Sequence, residues 1–441
     1  MTHFENIPTI DYLALYQDQT TRYNCFIEET LNTARNKEVP LDSSLYDRIR
    51  LAFATHTPKT VVQLYISMPS LEKLVDYASQ FSNLHRLEIY SPKKDMESEA
   101  LVKFVKKHRL ANVNKLQELS LIMSKHWPYL ETEPLSLYGW TNLQKLDLTL
   151  WRTTFDWMLL PRRNLVELGF DGRGIVDQFD FESFFRPCTK LHTLKVLSAK
   201  DWTFSWKTPG SLLPRLTTLE IGSTRDALKK CLDDSFKSFS NALLSLTVTL
   251  QEPNSSHFIR RNITWTTPLP QLQRLVIKNK ALFEIDLAVL KNCPLLRALN
   301  LYVDAERSGF GCTGMGIPHF IKWILLFRSF EGLAAYGGGL EELTMDGVWI
   351  IPKSGLLRGI LPLVQLRRIR FGGGVKQMDI AGLSAIVDSS EKLKLLEVGE
   401  FAVLPTNKGQ KSKLFNKEGL EVRLTEYSIF GTIADCGYQD F

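Results

Sequence analysis

One six-residue pattern recurs thirteen times along this chain: an apolar residue, two variable residues, Leu or Ile, one variable residue, and a final apolar residue. The copies begin at Val61 (VVQLYI), Leu84 (LHRLEI), Leu116 (LQELSL), Leu143 (LQKLDL), Leu165 (LVELGF), Leu191 (LHTLKV), Leu216 (LTTLEI), Leu243 (LLSLTV), Leu272 (LQRLVI), Leu296 (LRALNL), Leu340 (LEELTM), Leu366 (LRRIRF) and Leu393 (LKLLEV). Successive starts are 22 residues apart at the closest, Leu143 to Leu165, and 44 at the widest, Leu296 to Leu340. A unit of this size cannot bury its apolar face alone. Stacked neighbours must supply the core, and the chain must fold as an array of similar turns.

Within a copy the fourth and sixth positions, such as Leu87 and Ile89, alternate with variable residues, as a strand with one buried face requires. Between copies lie stretches with helical spacing: ESEALVKFVKKHRL, DALKKCLDDSFKSFSNAL and AGLSAIVDSSEKL. In the second, Leu228, Cys231, Leu232 and Phe236 fall on one helical face. The unit is therefore a strand followed by a helical return.

These residues resemble the leucine-rich-repeat family, and within it the ribonuclease-inhibitor-like arrays of fungal F-box proteins, whose flavour the opening SLYDRIRLAFATHTPKTVVQLYI shares. The resemblance covers roughly residues 45–400. It implies an α/β horseshoe solenoid with parallel strands on the concave face and helices on the convex face. It also implies a protein-binding role similar to substrate recognition in ubiquitin ligases, with a Skp-type adaptor as a possible partner. The chain departs from the family where an Asn or Cys follows the strand. Those places hold Pro92, Ser124, Trp151, Arg173, Ala199, Thr224, Gln251, Lys280, Asp304, Val348, Gly374 and Phe401. Without the usual Asn ladder, adjacent turns are expected to bond through backbone groups and water.

The array is predicted over 61–401, with a long insertion at 303–338. Residues 1–60 read as a helical N-terminal cap and 402–441 as a hairpin-like cap built from GLEVRL and TEYSIFGTI, since uncovered end repeats would expose apolar surface. An F-box opens with Leu-Pro and an acidic residue before an apolar helix. Residues 1–60 offer only IPTIDYLAL, so adaptor docking has no motif to support it.

Composition bounds the partners. The start MTHFENIPTIDYLALYQ has no basic flank or continuous apolar run, so no secretory signal is expected, and IKWILLF at 321–327 is too short to cross a bilayer. Six scattered cysteines without a CxxC pair fit a reducing compartment, cytoplasm or nucleus, and no metal or other cofactor. A net charge of +6, with NKGQKSK at 407–413 as the nearest basic run, gives no concentrated footprint for nucleic acid. No membrane association is expected.

Catalysis finds little. Gly309, Gly311 and Gly314 in GFGCTGMG satisfy a dinucleotide fingerprint, a remote route to a nucleotide-dependent enzyme. The preceding strand LNLYV belongs to the repeat, however, and Pro318 with aromatic residues follows where tight helix packing is needed, so the loop reads as an insertion. Glu341 and Glu342 are adjacent in sequence and point apart, which disfavours a shared acid/base site. The chain reads as a non-enzyme.

Specificity then falls to the third, fifth and seventh positions of each copy, which alternation places on the exposed face. The earlier copies carry Glu118, Asp147, Glu167 and Asp171, and later ones Arg274, Lys278, Arg368 and Arg370. This predicts a polarised surface that selects a protein by charge. Trp151, Trp157, Trp202 and Trp206, just after strands, are candidate aromatic anchors at one rim, and Trp349 holds a similar place.

Overall fold

In the computed structural model, the described residues are 63–67, 84–91, 103, 115–123, 140–148, 160, 162–171, 181–197, 213–223, 242–250, 262–263, 265–279, 284–285, 287–303, 332–347, 349–350, 356–372, 375–376, 380–399 and 418–425. They fall into two compact bodies, the first running to Leu191 and the second from His192 to Asp440.

In the first body, β1 (Gln63–Ser67), β2 (Arg86–Ser91), β3 (Glu118–Met123), β4 (Lys145–Leu148) and β5 (Glu167–Asp171) each come from one sequence copy. They pair in parallel and in sequence order, with the fourth positions in one column: Leu64, Leu87, Leu119, Leu146 and Leu168. A short helix, α1 (Phe181–Phe185), buries Phe184 and Phe185 beneath the units.

The second body repeats the arrangement. β6 (Thr193–Leu197), β7 (Thr218–Ser223) and β8 (Ser245–Leu250) are followed by a two-residue strand, β9 (Asn262–Ile263), and by β10 (Arg274–Asn279). Next come β11 (Glu284–Ile285), β12 (Ala298–Val303), β13 (Glu342–Gly347) and β14 (Trp349–Ile350). β15 (Arg368–Phe371), β16 (Val375–Lys376), β17 (Leu395–Gly399) and β18 (Glu421–Thr425) complete the series. The principal strands run parallel in the order β6-β7-β8-β10-β12-β13-β15-β17-β18, while β9 with β11 and β14 with β16 form two small parallel ladders. Leu194, Leu219, Leu246, Leu275, Leu299, Leu343, Ile369, Leu396 and Val422 share one register. Each body is thus a leucine-rich-repeat-like solenoid.

The core follows from the pattern. Fourth and sixth positions are all but inaccessible: Leu146, Leu246, Leu299, Val248, Met345 and Phe371 are each 0–1% exposed. The buried unit also reaches three residues further back than the motif. In several units the amide of the first-position leucine donates to the carbonyl of a core residue three places earlier, as Leu143 does to Trp140, Leu191 to Cys188, Leu216 to Leu213, Leu296 to Cys293 and Leu366 to Leu363. This tight turn locks a second apolar side chain beneath those strands, while the same turn closes on Arg162, Gly337 and Ser390 before Leu165, Leu340 and Leu393. Burial pushes the Cys188 and Cys293 thiols up to about 12, against a small opposing effect of Arg162 on Cys188. Both are free, protonated packing groups.

The missing Asn ladder has a backbone replacement. The second-position carbonyl of one unit accepts two amides from the next: His85 from Gln117 and Glu118, Gln117 from Gln144 and Lys145, Thr217 from Leu244 and Ser245, Arg297 from Glu341 and Glu342. The distances are 2.7–3.0 Å. Among the described residues these turns are stapled to their neighbours through the backbone.

Helical returns appear where described. AGLSAIVDSSEKL contains α2 (Ile380–Ser389), which buries Leu383, Ile386 and Val387 on one face. Elsewhere the return differs: a tighter 3-10 segment at Leu287–Asn292 and a wider π-helical turn at Leu356–Ile360. The helices expected in ESEALVKFVKKHRL and DALKKCLDDSFKSFSNAL lie outside the described residues apart from Lys103 and the final Leu243, as does the cap at 1–60.

While TEYSIFGTI beyond Thr425 lies outside the described residues, GLEVRL, expected as one arm of a hairpin, forms β18, which pairs in parallel with β17. Gly419 occupies its first position, with a left-handed φ of 77° that no leucine would hold easily, so the six-residue pattern does not register there. Of the predicted insertion at 303–338, Val303 and residues 332–338 are described. Residues 332–336 are helical, Leu333 is buried, and Gly332 packs so closely on the Leu287–Ala288 backbone that a Cβ would fall 2.7 Å from it. That stretch is ordinary return segment.

Candidate protein-binding face

Side chains at the third and fifth positions emerge on the open face of each sheet, opposite the core, as alternation dictates. In the first body they form a charge ladder. Arg86 Nε lies 3.4 Å from Glu118 Oε2, Lys145 Nζ 3.4 Å from Glu118 Oε1, and Lys145 Nζ 3.5 Å from Glu167 Oε1. Four adjacent strands therefore alternate in sign, each charge facing its opposite one strand spacing away. Asp147 stands half-exposed at the fifth position of β4. Asp171 ends β5, its side chain outside the described residues.

In the second body the open face closes over short side chains. Val276 is 7% exposed, Thr249 2%, Asn300 7% and Asp346 8%, all at fifth or seventh positions. Lys278 Nζ reaches across β8 to Glu220 Oε1 at 3.4 Å. With its amide oriented to satisfy its neighbours, Asn300 accepts from Arg274 Nη2 at 3.2 Å and donates to Thr344 Oγ1 at 3.3 Å. Asp346 lies directly over Gly372, where a Cβ would come within 1.9 Å of Oδ1. Gly372 is there because the carboxylate needs the space. Its amide donates to the Met345 carbonyl at 2.8 Å, so the first glycine of 372–374 is held in place rather than forming a loose rim.

Beyond β12 the face opens and becomes densely charged. Arg368 Nη1 is 3.4 Å from Glu342 Oε1, while Glu397 sits between Arg370, at 3.6 Å, and Arg423, at 3.5 Å. Arg423 Nε also meets Glu421 Oε1 at 2.6 Å, and that hydrogen bond raises the guanidinium pKa further. Along the edge where the strands begin, Glu341 joins Arg297 at 3.6 Å to Arg367 at 3.5 Å. Glu341 and Glu342 thus serve different partners, as their opposed directions require.

The expected polarised surface is corrected by these contacts. Glu118 and Glu167 are matched by Arg86 and Lys145, and Lys278, Arg368 and Arg370 by Glu220, Glu342 and Glu397, so acidic and basic groups interleave instead of segregating. Of the candidate residues, Arg368 and Arg370 come together on one strand, with Arg274 and Asp147 elsewhere. Reading third and fifth positions separately along the chain missed the counter-ions, which come from an adjacent copy at the same position or, for Lys278, from Glu220 two copies earlier. Trp151, Trp157, Trp202 and Trp206 lie outside the described residues, as do Gly309, Gly311 and Gly314. Trp349 has its backbone in β14, paired with Val375. Among the described residues no cluster of His, Cys, Asp and Glu could hold a metal, and no helix is long and apolar enough to cross a membrane.

No family profile matches the chain, and no curated protein does. Among solved structures it is similar to an internalin, inlF, from Listeria monocytogenes str. 4b F2365, at 15% identity over 89% of this chain and 97% of that one, with a TM-score of 0.39. It is also similar to TLR13 in a TLR13–ssRNA13 complex, at 14% identity over 86% of this chain and 57% of that one, with the same TM-score.

Proposed function

We propose that this chain is a non-enzymatic protein-binding module that captures its partner on the open face of β13, β15, β17 and β18. The observation that carries this reading is the charged cluster of exposed Glu342, Arg368 and Arg423 with half-buried Arg370 and Glu397 between them, whose side chains the fold does not use for its core. The exposed pair of Arg368 with Glu342, at 3.4 Å, contributes little to stability and can be exchanged for a partner's charges at small cost. The double variant Arg368→Glu with Arg370→Glu tests it: partner capture from native cells should weaken, with slower association and less salt dependence, while stability falls only by the salt-screened cost of the new like-charge pairs, about 1 kcal/mol each at low salt. Undiminished capture by the folded variant would place recognition elsewhere.

The finer reading is substrate recognition similar to that of F-box proteins, in the cytoplasm or nucleus. It is supported by the sequence resemblance alone and requires a Skp-type adaptor to co-purify with the full chain. A scaffold without any ubiquitin role predicts partner capture with no adaptor in the eluate.

A further inference from the structure

We infer that the leading edge of β12, β13 and β15 is a docking notch for a protein segment that presents a bulky apolar side chain between acidic residues. The inference rests on the binding-module reading and adds a second contact beside the open face. Just before their strands, the two flanking units carry Pro294–Leu295 and Val364–Gln365, whereas the middle unit carries Gly338–Gly339. Leu295 is 49% exposed and Val364 61%. They stand two strand spacings apart, about 9–10 Å. Between them a Cβ added at Gly338 would meet nothing within 4 Å. Tyr336, 47% exposed, lies two residues before this gap.

The notch is built and not merely loose. Gly337 donates its amide to the Leu333 carbonyl at 2.8 Å, and a Cβ there would fall 2.5 Å from that oxygen. The glycine run 337–339 is therefore fixed at its first residue, and its next two leave a gap between Leu295 and Val364.

Charge selects the occupant. The second positions of four consecutive units are Arg297, Glu341, Arg367 and Lys394, stacked by backbone bonds in which each amide donates to the preceding residue's carbonyl. Glu341 is shared between both arginines, which leaves the row with an excess of two positive charges. Lys392 and Glu391, on the turn before β17, add one charge of each sign and leave that excess unchanged. An apolar side chain held in the notch would place its flanking residues over this row, where carboxylates are favoured and ammonium groups repelled.

Seven-residue synthetic peptides test the inference, with a central Phe or Ala flanked by either acidic residues or lysines, titrated into the full chain by fluorescence anisotropy. The acidic Phe-centred peptide should bind about tenfold or more tightly than the other three, and weaken at high salt. Gly338→Leu, which fills the gap without a clash, and Arg297→Glu with Arg367→Glu should each cost about tenfold or more while melting is retained. Equal binding of all peptides, no binding, or undiminished binding to Gly338→Leu would overturn the notch. Failure here, together with partner capture that is still lost in the Arg368→Glu, Arg370→Glu variant, would remove the notch and leave the proposed function standing.

Discussion

Two stretches with the same core present opposite open faces. Across β2 to β5, Arg86, Glu118, Lys145 and Glu167 keep long charged side chains in water and satisfy one another across neighbouring strands. Across β7 to β13, the corresponding surface sinks: Thr249, Val276, Asn300 and Asp346 are buried, and a long pair, Lys278 with Glu220, spans β8. The repeat constrains only the fourth and sixth positions and the residue three before the motif. The open face is free to be a solvated ladder in one place and a packed polar layer in another. Rigidity and exposure differ although the backbone register does not.

The largest effects should be the same in both stretches, because the core is the same. Leu146→Ala and Leu299→Ala each open a cavity between stacked neighbours and should cost about 2–5 kcal/mol in denaturant unfolding. A marked difference between them would mean that the two columns are not equivalent. Next in size is Gly372→Ala, which must displace the Asp346 carboxylate and should cost about 1–3 kcal/mol, whereas Gly338→Ala should leave melting unchanged.

The buried thiols give a pH signature. Their folded pKa is about 12 against an ordinary 9.0, so the neutral form is favoured in the fold. Their contribution is complete below pH 9 and is lost as pH rises from there toward 12, because the unfolded chain ionises first. Cys188→Ala with Cys293→Ala should flatten that part of the stability profile.

The smallest effects separate the two faces. Lys145→Glu places three acids in a row and should cost about 1 kcal/mol at low salt, fading as salt is added. Thr249→Val should be neutral or slightly stabilising, since its buried hydroxyl finds no hydrogen-bond partner among the described residues. A salt-dependent change at Thr249, or none at Lys145, would erase the contrast between ladder and layer.

The sequence carried the fold well because a strand buried on one face writes its period directly into leucine spacing. Thirteen copies became thirteen parallel strands. What it hid were features without that period. Gly419 broke the fourteenth copy, and the residue three before the motif varies from Trp140, Cys188 and Leu213 to Arg162, Gly337 and Ser390, so the position could be found only by aligning the copies on their first leucine. The helical stretch before Leu340 lay in the longest gap and read as insertion. The site was legible only as positions. Arg368 and Arg370 were read from alternation, but their counter-ions Glu342 and Glu397 come from neighbouring turns, and pairing across turns requires the register that folding supplies.

Site-directed photo-cross-linking from the full chain tests most directly whether recognition uses the open face. A benzophenone side chain at Thr344, on the open face of β13, should give a covalent partner adduct, and the same group at exposed Asp388 on α2 should give none. Adducts from Asp388 with none from Thr344 would contradict the account and move recognition to the helical returns.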